Sequence, residues 1–391
     1  MTDRELLLEN NEKLKKIQET LKNKILAGGG SVGDGEYFVK VIDYDGTILK
    51  EANLNTGDTF TLPTPPSHDG LVFQEWSCSQ DIVDGVITIE DNDVMAGAVY
   101  TTASGLNEFD IELTKVTGLD VPLNMDGTKD WGDGTSDDLK THTYAGYGKY
   151  TIKCNGTTMT TSSSSGLFGA NKCCIGARFA AITKIGTNAF RNCYSLKHIT
   201  IPQGTTSVND GAFQRCYSLT SITIPQGAKI VAQNVFESCY SATSIIIPKS
   251  VKNIDRGACA NCFSLTHVVL PNNTVGVYGS AFAYCHSLKR IRMPQGVTTL
   301  GGAFSYCSSL ETIVIPKGVL TINDYTFELC MVLKTYDFST HTSVPYNAGS
   351  TVFTNINPLA KIIVPDNLYD EWITATNWVT YADYIYKASE V

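Results

Sequence analysis

The chain has 391 residues and a formal net charge of −9 with no run of basic residues, which excludes general nucleic-acid binding, a property that rests on neutralising phosphates. Apolar residues make up 42% and charged residues only 18%, below the roughly 25% usual for soluble proteins, so bulk disorder is excluded and two to four folded modules are expected. No stretch approaches the roughly 18 consecutive apolar residues of a membrane span, and the Met1-Thr-Asp-Arg-Glu-Leu6 start lacks the charged-then-apolar order of a secretory signal. The sequence therefore predicts a chain made and folded in the cytosol, with no membrane insertion.

Residues 3–26 predict a helix, opened by the capping-box pair Thr2 and Glu5 and closed at Gly28. Leu7, Leu14 and Leu21 repeat every seven residues, with Asn10 and Ile17 in the second column of the seam, and Glu9/Lys13 and Glu12/Lys16 at the favourable four-residue spacing. A single helix this polar is marginal in water, so residues 1–27 are expected to form a short coiled coil for oligomerisation or anchoring, its register set by Asn10. The alternative is a solvated tail. Residues 28–35 are a Gly-rich linker whose matches to G-x-G-x-x-G and G-x-S-x-G lack the strand before and helix after that those motifs require.

Residues 36–102 alternate as strands from Tyr37-Phe-Val-Lys-Val-Ile42, turn at Asp45-Gly46 and continue through Phe73 and Trp76 to Val99-Tyr100. This order resembles the internalin-type B-repeats (Listeria–Bacteroides repeats) of cell-surface proteins, with Trp76 and Phe73 as its core aromatics. Residues 105–160 carry Trp131-Gly-Asp-Gly-Thr135, His142-Thr-Tyr144 and Gly148-Lys-Tyr-Thr-Ile-Lys-Cys154. They resemble the polycystic-kidney-disease-type β-sandwich, although Trp131 directly precedes Gly132. Asp126, Asp130 and Asp133 are a candidate calcium set, against the alternative that Asp133 bonds its own turn. Residues 161–181 are expected to be a linker and N-terminal cap.

From residue 182 to 365 the chain repeats about every 23 residues. Phe190, Phe213, Phe236, Cys259, Phe282, Phe304, Phe327 and Phe353 head successive units. Cys193, Cys216, Cys239, Cys262, Cys285, Cys307 and Cys330 follow three residues later, and a short strand such as Ile199-Thr-Ile-Pro202 ends each unit. One such unit cannot bury its own apolar face, whereas stacked units can, so a solenoid of parallel rungs is expected. The A-F-x-x-C-x-S-L-x-x-I-x-I-P pattern resembles the BspA-like leucine-rich repeats of bacterial surface antigens, and this implies an array used for adhesion or recognition, without catalytic chemistry. Recurrence of cysteine at one core position predicts packed free thiols rather than disulfides or a zinc site, even at the Cys259/Cys262 C-x-x-C. Residues 366–391, with Trp372 and Trp378, are expected to cap the last rung.

The expected fold class is therefore modular and mainly β: a coiled-coil helix, two small β domains and a leucine-rich-repeat solenoid with a helical cap. A ligand face is expected on the two strand columns that flank the inward residues. These are His198, Ser221, Ser244, His267, Arg290 and Thr312, and Thr200, Thr223, Ile246, Val269, Arg292 and Val314. The alternative is a merely solvated sheet face. A further column, Tyr194, Tyr217, Tyr240 and Phe263, offers aromatics that either stack sugars, grip a protein or pack between turns.

No H-E-x-x-H or nucleophile–base–acid set is present, and His198 and His267 lie three rungs apart, roughly 14 Å by strand spacing, so no catalytic centre, metal or cofactor is expected. The Ala375-Thr-Asn-Trp378 and Tyr381-Ala-Asp383 ending resembles that of repeat proteins in gut-bacterial phage tails. The leading expectation is thus a virion tail or head fibre, assembled in the host cytoplasm, bound to other virion proteins through its N-terminal helix, trimeric, and attaching to a bacterial surface glycan or protein. A bacterial cell-surface adhesin and a purely structural virion decoration protein are the alternatives.

Overall fold

A computed structural model describes residues 36–90, 92–113, 120–157, 159, 167–168, 173–347, 349 and 351–391. The predicted helix with Leu7, Asn10, Leu14, Ile17 and Leu21, and the Gly-rich linker, lie outside the described residues. Among the described residues no helix is long and apolar enough to cross a membrane.

The first module is a four-stranded sheet in the order β2–β1–β6–β4, built from β1 (Tyr37–Ile42), β2 (Ile48–Leu54), β4 (Leu71–Cys78) and β6 (Val94–Thr102). A small ladder of β3 (Thr59–Thr61) with β5 (Val86–Thr88) accompanies it. Only β1 and β6 pair in parallel; β1–β2 and β4–β6 are antiparallel. Val39, Val41, Phe60, Ile87, Ile89 and Val94 form its core. Trp76 packs on that core while partly buried, whereas Phe73 lies beside it, 5.4 Å from the Trp76 ring, and is not a central core residue.

The segment read as a separate sandwich instead joins the repeat array. Strand β7 (Asn107–Leu113) pairs with β12 (Gly148–Cys154) on one side and with β13 (Cys174–Arg178) on the other. Strand β13 then pairs in parallel with the first repeat strand, His198–Thr200. Phe109 lies 5.7 Å from Phe179, and Phe179 lies 6.1 Å from Phe190, so one apolar core runs from this segment into the repeats. The reason is the open end of the solenoid: its first rung has an unpaired strand and a bare apolar face, and this segment satisfies both.

Each repeat contributes two short strands, not one. The first ladder pairs Ser221–Thr223, Ser244–Ile246 and His267–Val268, and then Arg290–Arg292, Thr312–Val314, Thr335–Asp337 and Lys361–Val364, always in parallel and in the register that the repeat implies. A second ladder runs through Ile230–Val231, Asn253–Ile254, Gly276–Val277, Thr299–Leu300, Thr321–Ile322 and Tyr346–Asn347.

The turns between the ladders are themselves hydrogen-bonded from rung to rung. Phe213 N–H donates to Val235 O at 2.9 Å, and Arg215 N–H to Glu237 O at 2.7 Å. Successive N–H groups can point along the stack because a left-handed residue precedes each cysteine position: Asn192, Arg215, Ser238, Asn261, Tyr284, Tyr306, Leu329 and Asn355 all have φ between 55° and 64°.

The head phenyl rings stack, with centroids 5.4 Å apart for Phe190–Phe213 and 5.8 Å for Phe213–Phe236. The cysteines have a specific task. The Cys216 thiol donates to Phe190 O at 3.2 Å, Cys239 to Phe213 O at 3.3 Å and Cys285 to Cys259 O at 3.3 Å. Each sulfur thus fills core volume and supplies a weak donor to a buried carbonyl one rung back. All twelve cysteines are buried and unbridged. At the C-terminus, the helix α1 (Tyr369–Thr374) places Trp372 against Trp378, 4.5 Å apart, and Ile385–Lys387 adds a final parallel strand.

Candidate functional site

Thr312 and Val314 are the candidate ladder-face residues that stand exposed; the others are buried or half-buried, and the first module covers much of the leading rungs. This corrects the expectation of an open sheet face. Gly97 of β6 makes the approach possible: a Cβ there would come within 2.9 Å of Ile246 Cγ1 and closer still to the Thr223 side chain. Ile42, Met95, Ile246 and Val269 form a dry apolar cluster in the contact. Ser221 donates to Tyr44 O at 3.1 Å and Ser77 to Ile224 O at 2.5 Å, while Asn92 donates to Leu270 O at 2.9 Å. Ser244 and Thr200 are buried, and His198 meets the Tyr44 ring edge-on at 6.2 Å.

The charged end of the same face is also engaged. The His267 ring stacks on Phe38 at 5.0 Å. Arg290 lies 3.7 Å from Asp93 and over Phe38, and Arg292 lies 3.6 Å from Glu36 and over Tyr37. The apolar middle of the outward column, Ile246 and Val269, is therefore the core of an internal docking contact. That apolar pair was the sequence signal for docking.

The aromatic column packs between turns. Tyr194–Tyr217, Tyr217–Tyr240 and Tyr240–Phe263 stack with nearly parallel rings at 4.5, 4.5 and 4.7 Å, and His286 ends the series 5.1 Å from Phe263. Ring faces inside the column are occupied by their neighbours, so they are not open for sugar stacking.

The three candidate calcium aspartates do not converge. Asp133 accepts from Thr135 N–H at 3.1 Å and lies 2.7 Å from His142 Nε2, and Asp130 accepts from Gly132 N–H at 3.0 Å. Burial works to raise the Asp133 carboxyl, but the bonds from Thr135 and His142 together outweigh it and hold the group down at about 2. Trp131 is fully buried, donates to Asp137 at 2.9 Å, and its carbonyl accepts from the Tyr144 hydroxyl at 2.8 Å. The Trp-Gly-Asp-Gly and His-x-Tyr segments thus brace one turn. Among the described residues, no group of three or more His, Cys, Asp or Glu side chains is placed to hold a metal ion.

The outer side of the turns is accessible along the array, as are Ile230 and Tyr346 on the second ladder. In the later rungs it carries Tyr284, Tyr325 and Met331, with Tyr284 and Tyr306 stacked at 4.4 Å. In the first three rungs it carries a polar cleft of about 260 Å³, lined by Asn188, Arg191, Asp210, Gln214, Gln233 and Asn234.

A family model described as a BspA-type leucine-rich repeat region matches residues 179–289 and 252–371, with six copies. Residues 179–371 are BspA-type leucine-rich repeats. The internalin-type and polycystic-kidney-disease-type resemblances fall outside the matched residues. Solved structures similar to the chain include a leucine-rich repeat protein from Bacteroides ovatus, at 26% identity and a TM-score of 0.45, covering 54% of this chain and 57% of that one. The T. pallidum leucine-rich repeat protein is 26% identical with a TM-score of 0.36, covering 41% of this chain and 83% of that one. A leucine-rich cell surface protein from Faecalibacterium prausnitzii is 23% identical with a TM-score of 0.24, covering 48% and 70%. No curated protein matches the chain significantly.

Proposed function

We propose that this chain is a non-catalytic, adhesin-like recognition protein of a bacterial cell surface, whose BspA-type array meets its target through the outer side of the turns. The observation that carries the reading is the docking of the first module on the ladder face, because it covers that face over the leading rungs while the outer side of their turns stays accessible. The BspA-type repeats support a surface role, since repeats of this kind are those of bacterial surface antigens. Contacts spread over several rungs strengthen one another when the array is presented in many copies.

The virion reading suggested by the sequence, with its fibre trimer and partner virion proteins, rests on the C-terminal phage-like ending and on residues outside those described. The adhesin alternative has the better support. The test is to label intact cells with antibody against residues 182–365 and to measure attachment of chain-coated beads to host surfaces. Surface labelling with attachment supports the proposal. Recovery of the chain solely in purified phage particles overturns it.

A further inference from the structure

We propose that the polar cleft of the first three rungs is a binding site for a single neutral sugar residue. The proposal deepens the recognition reading and rests on it for its biological sense. Its chemistry rests on four observations.

The first is the floor. Gly211 has φ of 61°, and a Cβ placed there would collide with Asn188 Oδ1 and lie 3.7 Å from Gln214 Oε1. Two amide carbonyls therefore converge above a bare glycine, in a hollow that any larger residue would fill.

The second is orientation. Gln214 Nε2 donates to Glu237 Oε2 at 2.6 Å, which fixes the amide so that its carbonyl turns inward as an acceptor. Asp210 lines the same cleft as a further acceptor. Arg191 brings the opposite character, and its Nε is buried without a hydrogen-bond partner. A buried polar atom left unpaired costs stability, and its presence needs a reason beyond the fold.

The third is departure from the repeat. The position of Arg191 and Gln214 is held by Ala260, Ala283 and Ser305 in the fourth to sixth rungs, with Glu237 in the third and Glu328 in the seventh. That of Asp210 and Gln233 is held by Gly279 and Gly301 in the fifth and sixth, between Arg256 in the fourth and Asp324 in the seventh. The rungs stack equally well there, with Gly257 N–H donating to Gly279 O at 3.1 Å as Gly211 N–H does to Gln233 O at 2.9 Å. Small residues suffice for stacking at these sites, so stacking alone does not call for the large polar ones that the first three rungs bring together.

The fourth is balance. One guanidinium and one carboxylate cancel in charge, and no lining side chain is aromatic or aliphatic. The cleft therefore selects against a strong anion, a cation and an apolar group alike. It suits a molecule that both donates and accepts at adjacent positions, which is what vicinal hydroxyls do. Its volume equals that of about nine waters, on the scale of one sugar ring. Binding that lacks ring stacking is weak per site, so affinity in the millimolar range is expected and presentation in many copies would raise it.

The test is saturation-transfer-difference NMR on the full chain with D-galactose, D-mannose and N-acetyl-D-glucosamine, with D-glucuronate as the anionic comparison. At least one neutral sugar is expected to bind, with affinity reduced at least tenfold in Arg191→Met. Should that variant fail to fold, Gln233→Ala, at an exposed side chain, is expected to weaken binding at least threefold. Absence of neutral-sugar binding, equal binding by folded variants, or tighter binding of glucuronate overturns the proposal. Sugar binding that fails while chain-coated beads still attach removes the cleft alone; failure of attachment with sugar binding intact removes the surface reading and leaves the cleft.

Discussion

The thiol of Cys239 lies 3.3 Å from the main-chain carbonyl of Phe213, one rung earlier, and the same contact recurs at Cys262 with Phe236 O and at Cys330 with Phe304 O, at 3.2 and 3.1 Å. Replacing Cys239 by Ala removes the donor and leaves a small void, so a loss of about 1–3 kcal/mol is expected. Cys239→Ser keeps a donor and should cost less than Cys239→Val, which keeps the volume and loses the bond. Guanidinium unfolding midpoints rank the three; a Val variant as stable as the parent would show that the thiol bonds contribute nothing.

Burial also pushes these thiols up, to about 12 for Cys262 and Cys330 and about 11 for Cys78. The native chain should therefore resist a thiol reagent at pH 8, and all twelve cysteines should react once the chain is unfolded. Rapid labelling of two or more cysteines in the folded state would contradict the packing described.

Leu329 occupies the left-handed position before Cys330 with φ of 55°, where Asn192, Asn261 and Asn355 stand in three of the other rungs. That conformation costs a branched side chain roughly 1–2 kcal/mol more than it costs Gly, and Asn tolerates it best among the rest. Leu329→Asn is thus expected to raise stability by about 0.5–1 kcal/mol, read as a higher unfolding midpoint. Gly257→Ala should do the reverse, since its added Cβ would meet Asn234 Oδ1 and its φ is 65°.

At Gly97 the backbone of the first module lies so close to the array that an added Cβ would collide with Thr223 and Ile246. Gly97→Leu should detach the module without unfolding either part, because the module's own core lies elsewhere, around Val39, Phe60 and Ile87. Hydrogen exchange at Ile246 and Val269 should rise while that at Val39 holds, and small-angle scattering should report a larger radius. Unchanged exchange at both sites would show that the contact tolerates the bulk.

His267, stacked on Phe38, is pushed down to about 4, by burial first and then by Lys40, Arg290 and Lys289; Asp93 faces it through Arg290. The docked imidazole is neutral, whereas the undocked one takes up a proton below its ordinary value of about 6.5. Docking is therefore expected to be fully stable above that value and to weaken as pH falls from about 6.5 to about 4. His267→Phe should flatten this dependence while preserving the stack. An unaltered pH profile in that variant would place the sensitivity elsewhere.

The heads, the cysteine column and the inward strand residues were legible because each repeats eight or so times in one frame, and periodicity survives without any knowledge of contacts. The second ladder was not, since strands such as Asn253–Ile254 have two residues and carry no alternation to read. The docking contact pairs residues as far apart as Asn92 and Leu270, 178 positions, for which no local pattern exists. Ile246 and Val269 were visible as apolar residues on an outward column, but burial by a partner module and exposure to a ligand leave the same trace in sequence. The junction of β13 with the first rung was hidden for a like reason: Cys174–Arg178 lacks the head and cysteine of a repeat, yet its backbone completes the repeat's ladder.

A row of parallel strands with bare first and last members would template the next molecule, and copies would add end to end into a filament. Here the leading end is closed by antiparallel strands that run on into β7 and β12, and the trailing end by the tryptophan pair and a three-residue strand that finishes on Lys387. Both ends of the ladder are thereby closed to the end-to-end addition of further copies.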